Sequence, residues 1–307
     1  MNERYYKPSG RIPIVGVVVT VAAGMACAAV LGCIYGAISF YNPFIYVNFL
    51  GALGVGFLPA IVIAKVAYWG KIRNNPFLMV LGIITGLVAL YFSWVGYLFV
   101  LFVSGGVFEL SLMNAVALAV SPLGVGSIIL RLAENGSWSM MGYTPTGIVL
   151  YILWVVEAGI IIVINSISTT GNEEPFCEDC KVWTEARDDT PLLQKQNQFE
   201  LKKNLEQENY KFLDEMLKEE ADPTNCFSAI FNTCPHCKVS SYLTIIRITI
   251  KVNKEGELES NTTDVIKNLT VPHSLVETFI GKAKALEELR EQQVLENKAD
   301  EEEEFPK

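Results

Sequence analysis

Formal charge is missing from two long stretches of this chain. Residues 12 to 64 contain no Asp, Glu, Lys or Arg, and neither do residues 74 to 108. A water-exposed surface is not built from segments of that kind, but a lipid-exposed one is. Histidine is also scarce, with 2 in 307 residues. His236 lies inside a Cys-x-x-Cys pair and His273 precedes the last helix, so the two do not make a site. No nucleotide-binding loop, HExxH or GxSxG pattern occurs, which leaves the common hydrolase and nucleotidase chemistries without a starting point. The second half is short of basic residues. Residues 1 to 172 carry 7 Lys+Arg against 4 Asp+Glu, a net of +3, and residues 173 to 307 carry 17 against 29, a net of −12. A surface of that sign repels phosphate backbones, which argues against nucleic acid as a partner.

What is present is a membrane pattern. A helical span needs roughly 20 apolar residues, and four runs qualify, at about 13–40, 44–66, 77–103 and 145–168. The first is too long for the apolar core of a cleavable leader and is expected to stay as a span. Arg4, Lys7 and Arg11 precede it, and Lys71 and Arg73 separate the second from the third. Basic residues in short loops favour the cytoplasm. With spans one and two joined by a tight hairpin at Asn42-Pro43, both clusters fall on that side, and four spans bring the C-terminus there too. A cell-membrane protein with both termini cytoplasmic is therefore expected. Residues 110 to 130 leave a fifth span open. Ser121-Pro122 interrupts this run, which suits two short interfacial helices, the second capped by Ser121 with Pro122 at its first position. Leu123, Val125, Ile128, Ile129 and Leu132 then share one side.

Two features of the spans invite function. Gly24, Ala28, Gly32 and Gly36, with Gly82 and Gly86, lie at the spacing that lets helix backbones approach closely. Packing within the bundle and a homo-oligomer seam are both compatible with it. Glu157 stands mid-span, where a carboxylate needs a proton, a partner or water. It is either a cation or proton site of a small transporter or channel, or a neutral carboxyl bonded to a neighbouring helix at Ser93 or Tyr97.

The polar half begins with a linker at Asn172 to Pro175. Thr190 with Pro191 marks a helix start, and a helical pattern runs to about Glu220 with a break near Glu208-Asn209. Phe212, Leu213, Met216 and Leu217 form its apolar face. Ile246, Ile248, Ile250 and Val252 alternate with polar residues as in a strand, Asn253 to Gly256 is a turn, and a return strand follows into Val265-Ile266. Ser274 and Glu277 have capping-box spacing. Leu275, Val276, Phe279, Ile280, Ala283, Leu286 and Leu289 then repeat at helical intervals. From residue 297 the chain reads as an acidic tail without structure.

Four cysteines carry the chemistry: Cys177 and Cys180 in CEDC, Cys234 and Cys237 in CPHC. Each pair tightens a turn so that two sulfurs converge, and two such turns can supply four thiolates to one Zn²⁺. Lys181 and Lys238 follow the second cysteine of each pair and can offset the resulting charge. This order of knuckle, knuckle and hairpin resembles the zinc-ribbon superfamily over about Phe176 to Thr184 and Thr233 to Val252. The resemblance implies a structural Zn²⁺ held by all four sulfurs. The 53 residues between the knuckles depart from the compact module, which leaves rubredoxin-like iron binding or separate roles for the pairs open. The overall layout also resembles bacterial multipass membrane proteins, and that resemblance implies no activity. CPHC is similar to the active-site motif of thioredoxin-fold oxidases, so a membrane thiol oxidoreductase using Cys234 and Cys237 is an alternative. That motif needs a helix to follow it, and here a strand is expected. Cys27, Cys33 and Cys226 read as buried thiols.

The expected architecture is an all-α transmembrane bundle of four helices plus interfacial helices (1–170), followed by a small α+β zinc-ribbon-like cytoplasmic domain with a helical insertion (171–296) and a tail (297–307). The expected role is a zinc-stabilised module docking a cytoplasmic protein partner, with no catalytic activity inferred.

Overall fold

The computed structural model describes residues 4–42, 44–136, 144–170, 174–187, 192–218, 221–253 and 256–304. The chain divides into two compact units, Ser9–Glu173 on the one hand and Met1–Pro8 with Glu174–Lys307 on the other.

The first unit is helical. Among the described residues, four helices are long and apolar enough to cross a membrane: α1 (Ile14–Tyr41), α2 (Ile45–Trp69), α3 (Asn75–Ser104) and α6 (Ile148–Ser168). The shortest has 21 residues, about 32 Å at 1.5 Å per residue, which matches a hydrocarbon core of about 30 Å. Asn74 caps α3, its Oδ1 accepting from the Phe77 N–H at 2.8 Å. Glycine decides how the helices pack. A Cβ on Gly32 would run into the Ala89 carbonyl, one on Gly36 into the Ser93 carbonyl, and one on Gly96 into the Cys33 backbone. Backbone thus meets backbone between α1 and α3, the approach that small residues permit. Nearer the start of α3, a Cβ on Gly82 would come within 2.8 Å of Ser166 Cα, and one on Gly86 within 3.0 Å of Ile162 Cα. These stripes are used inside the bundle. Thr20, Thr85 and Ser93 satisfy their hydroxyls on carbonyls of their own helices, so they add no polar load to the core.

Residues 110 to 130 form two short helices, α4 (Leu112–Ala119) and α5 (Pro122–Asn135), bent by 86° at the break between them. Val125 is buried, and Ile128, Ile129 and Leu132 pack beside it against α3. Two expectations change here. Ser121 occupies the N-cap position, but its side chain makes no capping bond. Leu123 does not join its apolar neighbours and is 90% exposed.

The second unit is α+β. Its elements are β1 (Phe176–Cys177), β2 (Val182–Trp183), β3 (Glu185–Ala186), β4 (Leu192–Leu193), α7 (Gln198–Glu206), α8 (Lys211–Lys218), β5 (Asn225–Thr233), β6 (Ser241–Val252), β7 (Leu258–Thr270) and α9 (His273–Glu304). The main sheet is antiparallel in the order β3-β5-β6-β7, with β4 also on β5. Phe227, Ala229 and Phe231 of β5 and Leu243 and Ile245 of β6 alternate onto one face, as a two-residue period requires. They share a core with Leu201, Leu205, Leu213, Met216, Val276 and Phe279 from the three helices. The apolar alternation of β6 changes face at Ile245-Ile246. Ile246, Ile248 and Ile250 therefore point away from that core and are half-buried.

The helical stretch after the first knuckle is shorter than its pattern suggests. β4 takes Leu192 and Leu193, and the helix begins only at Gln198, capped by Asn197. The expected cap at Thr190-Pro191 lies outside the described residues, as does Pro43. The break near Glu208 is present, with Glu208 itself at φ 63°. Ser274 sits inside α9, one residue past its start at His273. Glu277 faces Arg187 at 3.4 Å. α9 continues to Glu304, through residues expected to be a tail; its Ala, Glu and Lys content favours helix.

The first residues join this unit too. Tyr5 bridges to Leu269, the Tyr6 N–H donates to the Asn268 carbonyl at 2.9 Å, and the Thr270 N–H donates to the Arg4 carbonyl at 2.7 Å. They extend the sheet beside β7.

Candidate metal centre

The first knuckle is a short hairpin. β1 and β2 pair antiparallel with Phe176 opposite Trp183, and their rings meet edge to face at 4.9 Å. Lys181 closes the turn in the left-handed region, at φ 57°. Thr184 donates both its N–H and its hydroxyl to the Pro175 carbonyl, at 3.0 and 2.9 Å, which locks the base of the hairpin.

The second knuckle is the connection between β5 and β6. The Cys234 N–H donates to the Ser240 carbonyl at 3.0 Å, so the loop closes where the ladder between Thr233 and Ser241 ends. CPHC thus leads into a strand and not into a helix, the context expected from the sequence.

Sheet pairing brings the two knuckles together. β3 leaves the first knuckle and pairs with the end of β5, Glu185 opposite Thr233. Thr233 directly precedes Cys234. The helices between the knuckles pack on the core face, and the intervening chain length does not separate the sulfurs.

The result is a four-sulfur cluster. The Sγ atoms of Cys177, Cys180, Cys234 and Cys237 all lie within 4.8 Å of one another. Cys177 Sγ and Cys237 Sγ are 3.6 Å apart. A tetrahedral ion with bonds of about 2.3 Å has sulfur–sulfur edges of about 3.8 Å, so the residues present fit such an ion. None of the four is in a disulfide. Cys177 and Cys234 are buried, and Cys180 and Cys237 are half-buried.

Polar hydrogens point at the sulfurs. The N–H groups of Val239 and Ser240 donate to Cys237 and hold its thiol down at about 6. Cys180 is pushed up to about 12, first by hydrogen-bonding with Cys237 and then by burial. Burial raises Cys234. The Ser240 hydroxyl donates to Cys177 Sγ at 3.3 Å. These donors spread the negative charge of a thiolate set, as the surroundings of a metal ligand must. Sequence reasoning passed over Ser240; its position three residues after Cys237 is the signal that marks it.

No protein-family model, curated protein or solved structure matches this chain. The site therefore rests on its own geometry. Its chemistry is that of a membrane-type protein with a four-cysteine cluster able to hold a metal.

The remaining candidates lie elsewhere. Cys226 is buried on β5, and Cys27 and Cys33 belong to α1. His236 is exposed in the CPHC turn. His273 Nδ1 pairs with the Ser241 hydroxyl at 3.0 Å. Glu157 sits on α6, and its Oε1 accepts from Tyr35 at 2.6 Å. Tyr35 lies across the bundle on α1, and nothing in the linear pattern ties it to residue 157.

Proposed function

We propose that the chain is an integral membrane protein whose four-helix anchor carries a zinc-stapled cytoplasmic domain that docks a protein partner. The observation that carries this reading is the convergence of Cys177, Cys180, Cys234 and Cys237 on one point. Four thiolates complete the coordination of Zn²⁺, so the ion would act as a cross-link between two hairpins and leave no position for a substrate.

The orientation rests on connectivity. Four crossings return the chain, after α6, to the side from which it enters α1. The Arg73 N–H donates to the Arg11 carbonyl at 3.0 Å, which puts the two basic clusters at one end of the bundle. The positive-inside bias makes that end cytoplasmic, where thiols stay reduced and available to a metal. Docking is supported by Phe199, 77% exposed on α7.

The decisive experiment is elemental analysis of the purified full-length protein, combined with maleimide labelling of a cysteine placed at the C-terminus in intact cells. About one zinc per chain, with label blocked until the membrane is permeabilised, supports the reading. Iron in place of zinc selects the rubredoxin-like alternative. A metal-free protein that keeps its fold, or a terminus labelled from outside, defeats it.

A further inference from the structure

A second site lies inside the helical unit. The C-terminal part of α1, the first turns of α2, the middle of α3 and α6 line a half-open cavity of about 80 Å³, room for several water molecules or one small organic cation. Its walls include Phe49, Trp94, Tyr97 and Trp154, with Glu157 facing the same space. Trp94 and Trp154 stand nearly perpendicular, at 86° with ring centroids 4.8 Å apart, and Tyr97 meets Trp94 at 5.9 Å.

Two physical facts give this arrangement a direction. First, an ionised carboxylate among apolar helices is stabilised by a counter-charge, and the described residues lining the cavity include no Lys, Arg or His. Lys65 is on α2, 17 residues beyond Asn48, or about 25 Å along the helix. Second, Tyr35 cannot serve every oxygen near it. Its hydroxyl lies 2.6 Å from Glu157 Oε1 and 2.9 Å from the Asn48 carbonyl, and one proton satisfies one of them. Spending that proton on Glu157 holds the carboxylate in place at the aromatic walls. Ring faces carry negative potential and attract a cation within about 6 Å.

We propose that this cavity binds a substituted ammonium group, the charge paired with Glu157 and the alkyl groups against Trp94, Tyr97 and Trp154. A choline headgroup of a lipid and a free quaternary amine present the same chemistry. The proposal is independent of the metal centre, which lies in the other unit.

The test uses the full-length protein in nanodiscs made of phosphatidylglycerol only, titrated with tetramethylammonium chloride and read by tryptophan fluorescence and calorimetry. Saturable binding is expected, with sodium chloride at the same ionic strength giving none. Glu157→Gln, which keeps shape and the bond from Tyr35, is expected to weaken binding at least ten-fold. Trp154→Phe, a milder change, is expected to weaken it several-fold and serves if the first variant fails to fold. Repeating the titration in phosphatidylcholine nanodiscs identifies the source. Affinity reduced ten-fold or more points to a resident lipid headgroup, and unchanged affinity points to a free amine. Absence of saturable binding in phosphatidylglycerol, or wild-type affinity in both variants, overturns the proposal and leaves Glu157 a hydrogen-bonded neutral carboxyl.

Discussion

Glu185 lies opposite Thr233 across the β3–β5 ladder. That pairing sets the metal centre, because it joins the exit of one knuckle to the entrance of the other. The cysteine pairs are 53 residues apart in sequence, yet their sulfurs meet without a long loop having to order itself around an ion. The sheet makes the approach, and a metal ion would close it.

Loss of one ligand should therefore damage the knuckles more than the sheet. Cys234→Ser is expected to reduce zinc from about one per chain to none. The second unit should lose about 3 kcal/mol or more, since a structural zinc contributes folding energy directly. Calorimetry of the purified protein with and without chelator checks this. Cys226→Ser, outside the cluster, should keep its zinc.

Metal affinity should rise with pH. Cys237 is held near 6 and arrives ionised at neutral pH, whereas Cys180, near 12, and the raised Cys234 must lose protons to bind. Binding then releases at least two protons, so acid opposes it and base favours it. Between about pH 6.5 and 8 the apparent affinity is expected to climb at least about 100-fold per unit. Competition titrations with a chromophoric chelator at three pH values would reveal a flatter slope if this proton count is wrong.

Glycine contacts should govern the bundle. Gly36→Ala places a methyl group against the Ser93 carbonyl, whereas Gly54 has open space around its Cβ position. The first change is expected to destabilise by about 1–3 kcal/mol through overpacking. The second should be neutral or slightly stabilising, because alanine favours helix. Thermal unfolding of both variants in the same detergent compares them directly.

The N-terminal segment should behave as part of the second unit. The Tyr5 hydroxyl donates to Glu206 Oε1 at 2.7 Å, and Tyr5 packs against the sheet core. Tyr5→Phe is expected to cost about 1 kcal/mol, as for loss of one hydrogen bond. Faster hydrogen exchange at the Thr270 N–H, which donates to Arg4, should accompany it. Unchanged exchange there would mean that the segment is not held.

Much of this protein was legible residue by residue. The absence of charge from residues 12 to 64 and 74 to 108 marks lipid-facing helices, because no backbone but a hydrogen-bonded helix survives a long apolar run in hydrocarbon without a barrel. The β6–β7 hairpin and the apolar face of α9 follow from periods of two and of about 3.6. The cysteine spacing names the four candidate ligands, since a Cys-x-x-Cys turn directs both sulfurs inward by local geometry alone. Other features depend on partners far away in the chain. β3, β4 and β5 carry weak or mixed patterns and become strands by pairing with one another and with β6. The binding of residues 4–6 to β7 has no local signal, because an edge strand is defined by the strand it joins. Tyr35 reaches Glu157 across 122 positions. Short-range periodicity records which face of an element avoids water; which element covers that face, and which distant side chain completes a polar contact, is decided only when the core closes.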